Sequence, residues 1–193
     1  MSGAGQVGSG RIRIIGGSLR NSRLQVPELP GLRPTPERVR ETLFNWLMPV
    51  IEGARCLDLC AGTGALGIEA SSRGAASVQF VERDARAAQA LRENLARLRV
   101  ATAQVSLLDA GTFLEGGAQP FDLVFLDPPF GLALWAQLAC RLEAGGWLAA
   151  NALIYVESSR AGVPGLPPNW HVHRKGRAGE VGFALYRRSL TLS

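Results

Sequence analysis

Between residues 55 and 126, short apolar runs with a carboxylate at their carboxyl end alternate with helix-forming stretches, and this alternation leaves the chain few possible architectures. Residues 55–59, 78–82, 105–108 and 121–126 have the length and apolar content of buried strands. Residues 65–73, 83–100 and 132–142 read as helices, the second with Ala87, Leu91, Leu95 and Leu98 on one stripe. Strand–helix alternation of this kind demands a parallel sheet with right-handed crossovers. Residues 153–157 add a fifth strand. The tail breaks the rhythm: residues 171–174 and 182–187 lie close together with no helix between them, which predicts an antiparallel hairpin closing the sheet edge. The expected fold is α/β and Rossmann-like, with a seven-stranded, mostly parallel sheet.

The first strand runs into Asp58-Leu59-Cys60-Ala61-Gly62-Thr63-Gly64-Ala65-Leu66-Gly67. Glycines between a parallel strand and a helix permit a tight turn and close approach of a ligand to the backbone. The spacing Gly62-x-Gly64-x-x-Gly67, with Glu82 18 positions after Gly64, formally fits a dinucleotide fingerprint. Asp58 turns the reading elsewhere, because a carboxylate before the turn would repel a pyrophosphate but suits a cationic ligand. S-adenosylmethionine carries a sulfonium and an ammonium and no phosphate, so it is the expected cofactor. Asp58, Ala61, Gly62, Thr63 and Gly64 would hold it, with Glu82 placed for its ribose hydroxyls and Asp109 for its adenine amine. The competing role for an acid at such a position is a helix N-cap, which is how Asp84 reads.

The run 121–126 stops at Asp127-Pro128-Pro129-Phe130, since proline cannot continue a ladder or enter a helix interior. The prolines stiffen the turn and an aromatic ring closes it. Rigid acceptors beside a flat apolar ring suit a planar base with an exocyclic amine, the acceptors holding the N–H groups and the ring stacking on the base. Asp127, Pro128, Pro129 and Phe130 are the expected catalytic segment.

A chain of 193 residues is one domain by length. It has no apolar run long enough for a membrane span, and its start lacks the features of a signal peptide. Cys56 and Cys60 sit too far apart on one extended strand to bridge, and read as small hydrophobes in a reducing cytoplasm. His171 and His173 have no partner at ligand spacing, so no metal site is expected. Residues 1–40 carry seven arginines (Arg11, Arg13, Arg20, Arg23, Arg33, Arg38 and Arg40) against two glutamates, a surplus equal to the chain's whole formal charge of +5. A basic arm before a neutral remainder is a phosphate-binding footprint, with Arg11, Arg13, Arg20, Arg23, Arg33 and Arg40 as its candidate RNA contacts. Residues 1–10 are glycine- and serine-rich and read as disordered, and residues 11–50 as a basic extension of hairpin and helix. Within it, residues 27–36 hold four prolines in a stiff connection, and residues 37–48 form the helix. Residues 51–193 form the expected catalytic domain.

Five segments together resemble a known family: residues 13–17, the block Leu32-Arg-Pro-Thr-Pro-Glu-Arg-Val-Arg-Glu-Thr-Leu-Phe-Asn-Trp-Leu47, residues 58–67, Asp127-Pro-Pro-Phe130, and residues 153–157. In this order they are similar to the bacterial 16S rRNA guanine-N2 methyltransferases of the small ribosomal subunit, over residues 11–186. The block at 32–47 is the specific part. Leu59-Cys60 departs from relatives that often carry an aromatic there. The resemblance implies a class I S-adenosylmethionine-dependent methyltransferase in the cytoplasm. Its partner would be 16S rRNA within the small subunit or an assembly intermediate, and nothing demands more than a monomer. Two other readings stand beside it. Asp-Pro-Pro plus an aromatic also serves adenine N6 in DNA, and a non-catalytic RNA-binding or assembly module could occupy the same fold. A hydride-transferring dehydrogenase is disfavoured by Asp58.

Overall fold

The computed structural model describes residues 11–32, 34–129, 134–159 and 165–189, without the side chain of residue 159. Residues 1–10, Arg33 and Phe130 lie outside the described residues. The chain opens with a two-stranded antiparallel hairpin, β1 (Arg11–Arg13) and β2 (Arg23–Gln25), in which Ile12 faces Leu24. Only the middle residue of each strand is buried, so apolar side chains point inward and arginines outward. Helix α1 (Glu37–Leu47) follows Pro36 and buries Val39, Leu43, Phe44 and Leu47.

The alternating region then runs β3 (Arg55–Asp58), α2 (Ala65–Ser72), β4 (Ser77–Glu82), α3 (Ala85–Arg97), β5 (Ala103–Leu107), α4 (Ala110–Phe113), β6 (Phe121–Leu126), α5 (Trp135–Ala144) and β7 (Leu148–Ser159). The hairpin β8 (Trp170–Ala178) and β9 (Val181–Arg188) completes a seven-stranded sheet ordered β5-β4-β3-β6-β7-β9-β8. Pairings from β5 to β7 are parallel, and β9 runs antiparallel to both β7 and β8. The expected strands 153–157, 171–174 and 182–187 are cores of longer ones. Pairing with β6 extends β7 at its start and pairing with β9 at its end, whereas β8 is mostly exposed and carries little apolar signal of its own.

Side-chain alternation splits the core in two. Cys56, Val78, Phe80, Leu123, Phe125, Leu153 and Tyr155 face α1, α2, α3 and the N-terminal hairpin. Leu57, Val81, Val124, Leu126, Ile154 and Val156 face α5 and Trp147. Strand order reverses between β3 and β6, and in such sheets a crevice opens outside the carboxyl ends of the strands at that switch.

The N-terminal segment is bound to the helices by backbone hydrogen bonds. Asn94 on α3 serves β2 as a strand neighbour would, accepting from Gln25 N at 3.0 Å and donating to Gln25 O at 2.8 Å. Glu69 on α2, fully buried, accepts from Ile15 N and Gly16 N, both at 2.8 Å. A Cβ on Gly17 would lie 1.8 Å from the Ser72 carbonyl oxygen, so the turn sits directly against the end of α2.

Candidate active site

A cleft of about 990 Å³ opens at the carboxyl edge of the sheet. Strand parity decides which acids meet in it. Asp58 lies opposite Phe80 on β4 and opposite Phe125 on β6, so Glu82 and Asp127 are one pleat further along on the same face. Leu126 pairs with Val156, which makes Asp127 and Glu157 neighbours across the next rung. Asp58, Glu82, Asp127 and Glu157 all line the cleft, joined from the loops by Asp84, Asp109 and Glu115, against the arginines Arg83 and Arg141. The excess of negative charge favours a cationic ligand.

Each acid has its own environment. Asp58 is 3% exposed and accepts from Gly67 N at 3.1 Å, so it caps α2 from the neighbouring strand. Burial pushes its carboxyl up to about 7, opposed by that N–H and reinforced by Glu82. Glu82 holds the glycine turn through Gly62 N at 2.7 Å and the next loop through Asp84 N at 2.8 Å, a backbone role added to its expected place at the ribose. Asp109 caps the short α4, accepting from Thr112 N at 3.0 Å, and the Thr112 hydrogen bonds keep its carboxyl below the usual range. Asp84 caps α3 as expected, accepting from Arg86 N at 2.8 Å and Ala87 N at 3.0 Å.

Asp127 is half-buried at the strand mouth, and burial, then Glu157, then Asp58 hold its carboxyl well above the usual carboxylate range. Glu157, 6% exposed, is also raised by burial, opposed by hydrogen bonds from the Tyr155 and Thr35 hydroxyls. Tyr155 Oη donates to Glu157 Oε2 at 2.9 Å. Pro128 is buried, Pro129 is exposed, and both line the cleft beside Ala61, Gly62 and Thr63. Gly64 lies just behind: its φ is +73° and a Cβ there would meet Leu91 Cδ1 at 2.3 Å, so only glycine fits under α3. Gly67 faces Phe80 in the same way, at 2.2 Å, which packs α2 onto β4.

Two features were not legible beforehand. Glu157, two residues before the end of β7, stands in register with Asp127; it ends the expected strand 153–157, and an acid at a strand end is the signal that points to it. The proline-rich connection, expected only as a stiff linker, forms a wall of the cleft through Leu29, Pro30, Leu32, Pro34, Thr35 and Pro36. One expectation is corrected. Arg40 is 2% exposed, donates to Arg13 O at 3.0 Å and Thr35 O at 3.3 Å, and lies 3.6 Å from Glu69. It braces the extension internally and is closed to RNA phosphates, because burial of an arginine needs an acid and carbonyls that only the fold assembles. Arg13 is paired with Glu37, whereas Arg11, Arg20 and Arg23 remain exposed. Cys56 is buried and its thiol pushed up to about 12 by burial, and Cys60 is half-buried at the cleft. Among the described residues no cluster of potential metal ligands exists, and no helix is long and apolar enough to cross a membrane.

The sheet order, the reversed terminal hairpin and the crevice beside β3 define a class I methyltransferase fold. The chain belongs to the family described as Conserved hypothetical protein 95, whose model matches residues 12–187, and the small-subunit rRNA methyltransferase D proteins are its relatives. It is 52% identical over 182 residues to ribosomal RNA small subunit methyltransferase D of Escherichia coli K12, across 94% of this chain and 92% of that protein. The protein of the same name from Haemophilus influenzae is 43% identical over 183 residues, across 92% of this chain and 94% of the other. The solved structure of yhhF from Escherichia coli superposes with a TM-score of 0.87 at 50% identity, covering 94% of this chain and all (100%) of that one. The resemblance read from the five sequence segments is therefore borne out at the level of the family.

Proposed function

We propose that this protein transfers a methyl group from S-adenosylmethionine to the exocyclic N2 of a guanine in 16S rRNA of the small ribosomal subunit. The observation that carries the reading is Asp127, a carboxyl at a proline-stiffened strand mouth inside a cleft whose other strand-end acids suit a cation. The relatives' names supply the rRNA. The cleft fits the cofactor by size, shape and charge: about 990 Å³ is ample for a nucleoside, Gly62 keeps backbone close to the cavity, and Asp58, Glu82 and Asp109 face its interior. Asp58 would hold the cationic end, Glu82 the ribose and Asp109 the adenine amine. When bound, S-adenosylmethionine supplies a methyl group on a positively charged sulfur.

The chain's own residues do the rest. The guanine N2 lone pair is delocalised into the ring, so the amine is a poor nucleophile. Asp127 and the Pro128 carbonyl accept its two hydrogens and favour a pyramidal nitrogen with an exposed lone pair. As positive charge develops on nitrogen, the Asp127 carboxylate stabilises it in a site with little water. The high proton affinity that burial gives Asp127 also suits it to take the proton the nitrogen sheds. Phe130, outside the described residues, would stack on the base, which must leave its own stack to enter. Arg11, Arg20 and Arg23 would contact rRNA phosphates around a monomeric enzyme docked on the subunit or its assembly intermediate. Mapping N2-methylguanines in rRNA from a deletion strain, with and without the restored protein, tests the reading. Loss of one such guanine on deletion and its return on complementation are expected. An unchanged rRNA map would overturn it, and methyl transfer to DNA adenine would favour the other amine.

A further inference from the structure

Building on this reading of the site, we infer that Glu157 accepts the N1–H of the acceptor guanine and thereby sets the choice of guanine over bases that lack that proton. Its position follows from the sheet. Leu126 pairs with Val156, so Glu157 stands beside Asp127 on adjacent strands about 4.8 Å apart, both side chains on the same sheet face and both lining the cleft. Its carboxyl is aimed by neutral donors. Tyr155 Oη donates to Oε2 at 2.9 Å, and the tyrosine ring is fully buried between Phe125 and Phe183. Thr35, on the proline-rich wall, lines the same cleft. Trp135 Nε1 donates to the Glu157 carbonyl at 2.9 Å and pins the strand at that residue. A carboxylate this constrained keeps acceptor capacity, and among the described residues no cation pairs with it.

Asp127 alone can receive an exocyclic amine of any base. Guanine differs from adenine at the neighbouring ring atom: N1 of guanine carries a proton beside the N2 amine, whereas N1 of adenine presents a lone pair beside N6. With Asp127 on the amine, the adjacent acid meets this ring atom. Guanine then satisfies both carboxyls, while a base with a bare N1 sets a lone pair against Glu157. Sites built to hydrogen-bond one substrate group reject analogues lacking it by large factors.

The test is single-turnover methyl transfer to small subunits reconstituted with guanine or 2-aminopurine at the mapped acceptor position. 2-Aminopurine keeps the C2 amine and lacks the N1 proton. Wild type should prefer guanine by at least ~100-fold. Glu157→Gln, whose amide can donate to the bare N1, should lower that preference at least ~10-fold while binding S-adenosylmethionine as wild type does. A guanine preference unchanged in Glu157→Gln overturns the inference, whatever the absolute rate. If that variant fails to bind cofactor, Glu157→Asp takes its place: the retracted acceptor should shrink the preference by slowing the guanine reaction alone, and an unchanged ratio again overturns the assignment. Wild-type transfer to guanine subunits is the control for the parent reading, so absence of that transfer sinks the proposed function rather than the role of Glu157.

Discussion

Two groups of carboxyls sit on the same face of this sheet with opposite surroundings. Glu69, in the middle of α2, is fully buried and saturated: two backbone N–H groups at 2.8 Å, Arg73 Nε at 2.8 Å and Arg40 Nη1 at 3.6 Å. Among the described residues, Asp127 at its strand mouth faces Glu157 and Asp58, Glu157 accepts from the Tyr155 hydroxyl, and burial holds both above their ordinary pKa. A saturated buried acid ties parts of a fold together. Acids left to repel one another in a cleft cost stability and wait for a ligand that supplies the missing donors. The contrast separates scaffold from site without reference to any relative.

The sharpest way to break the contrast is to remove Glu69. Glu69→Ala leaves Arg40 buried without its acid and frees the turn at residues 15–16, so stability should fall by about 3–5 kcal/mol. For a domain of this size that is a melting-point loss on the order of 10 °C. A thermal melt within a degree or two of wild type would mean that Glu69 does not anchor the extension. Asp127→Ala should behave in the opposite sense, with methyl transfer slowed at least ~100-fold and the melting temperature no lower than wild type. Near-normal turnover in that variant would remove Asp127 from the chemistry, and a large loss of stability would place it with Glu69.

Asp58 lies between the two extremes, because it caps α2 and also faces the cleft. Its carboxyl, raised to about 7, must lose its proton to receive a cation. Affinity for S-adenosylmethionine should therefore rise about eightfold from pH 6 to pH 7.5 in wild type. The Asp58→Asn variant, which keeps an oxygen for Gly67, should show weaker binding with a flat profile; calorimetry at several pH values decides. The sign for stability is reversed. The folded protein keeps a proton here that the unfolded chain releases near pH 4, so this group's contribution falls as pH rises from about 4 to about 7 and is level above. The melting temperature of wild type relative to Asp58→Asn should decline over that window, and parallel curves would reject the raised pKa.

The smallest effect belongs to the outer surface of the docked extension. Arg20→Ala with Arg23→Ala should weaken subunit binding and reduce the log–log salt slope by about one unit for each phosphate no longer neutralised, leaving stability and cofactor affinity unchanged. Equal slopes for wild type and variant would make these arginines ordinary solvated charge. Arg40→Ala, by contrast, should destabilise the fold in the manner of Glu69→Ala, since it belongs to the saturated group.

Local order was legible because each signal is local. The strand at 121–126 stops at prolines, the turn at 60–64 needs glycine, and Asp84 precedes an amphipathic helix; each is decided within a few residues. Asp109 shows the limit, since an acid after a strand serves equally well as a cap or a ligand, and only the hydrogen bonds from Thr112 reveal that it caps. Arg40 shows another. It sits in an arginine-rich segment that reads as a phosphate-binding arm, and nothing nearby in the chain announces Glu69, 29 positions on.

The sequence by itself determined the alternating sheet, the glycine turn, the stiffened Asp-Pro-Pro mouth and the family, because periodicity, steric exclusion and motif order are properties of neighbouring residues. Only the tertiary structure decided that Glu157 stands beside Asp127, that the proline-rich connection walls the cleft, and that Glu69 and Arg40 hold the extension in place. These depend on strand register and on the dielectric each charge experiences. Both arise when segments distant in sequence are brought within a few ångströms and water is excluded between them.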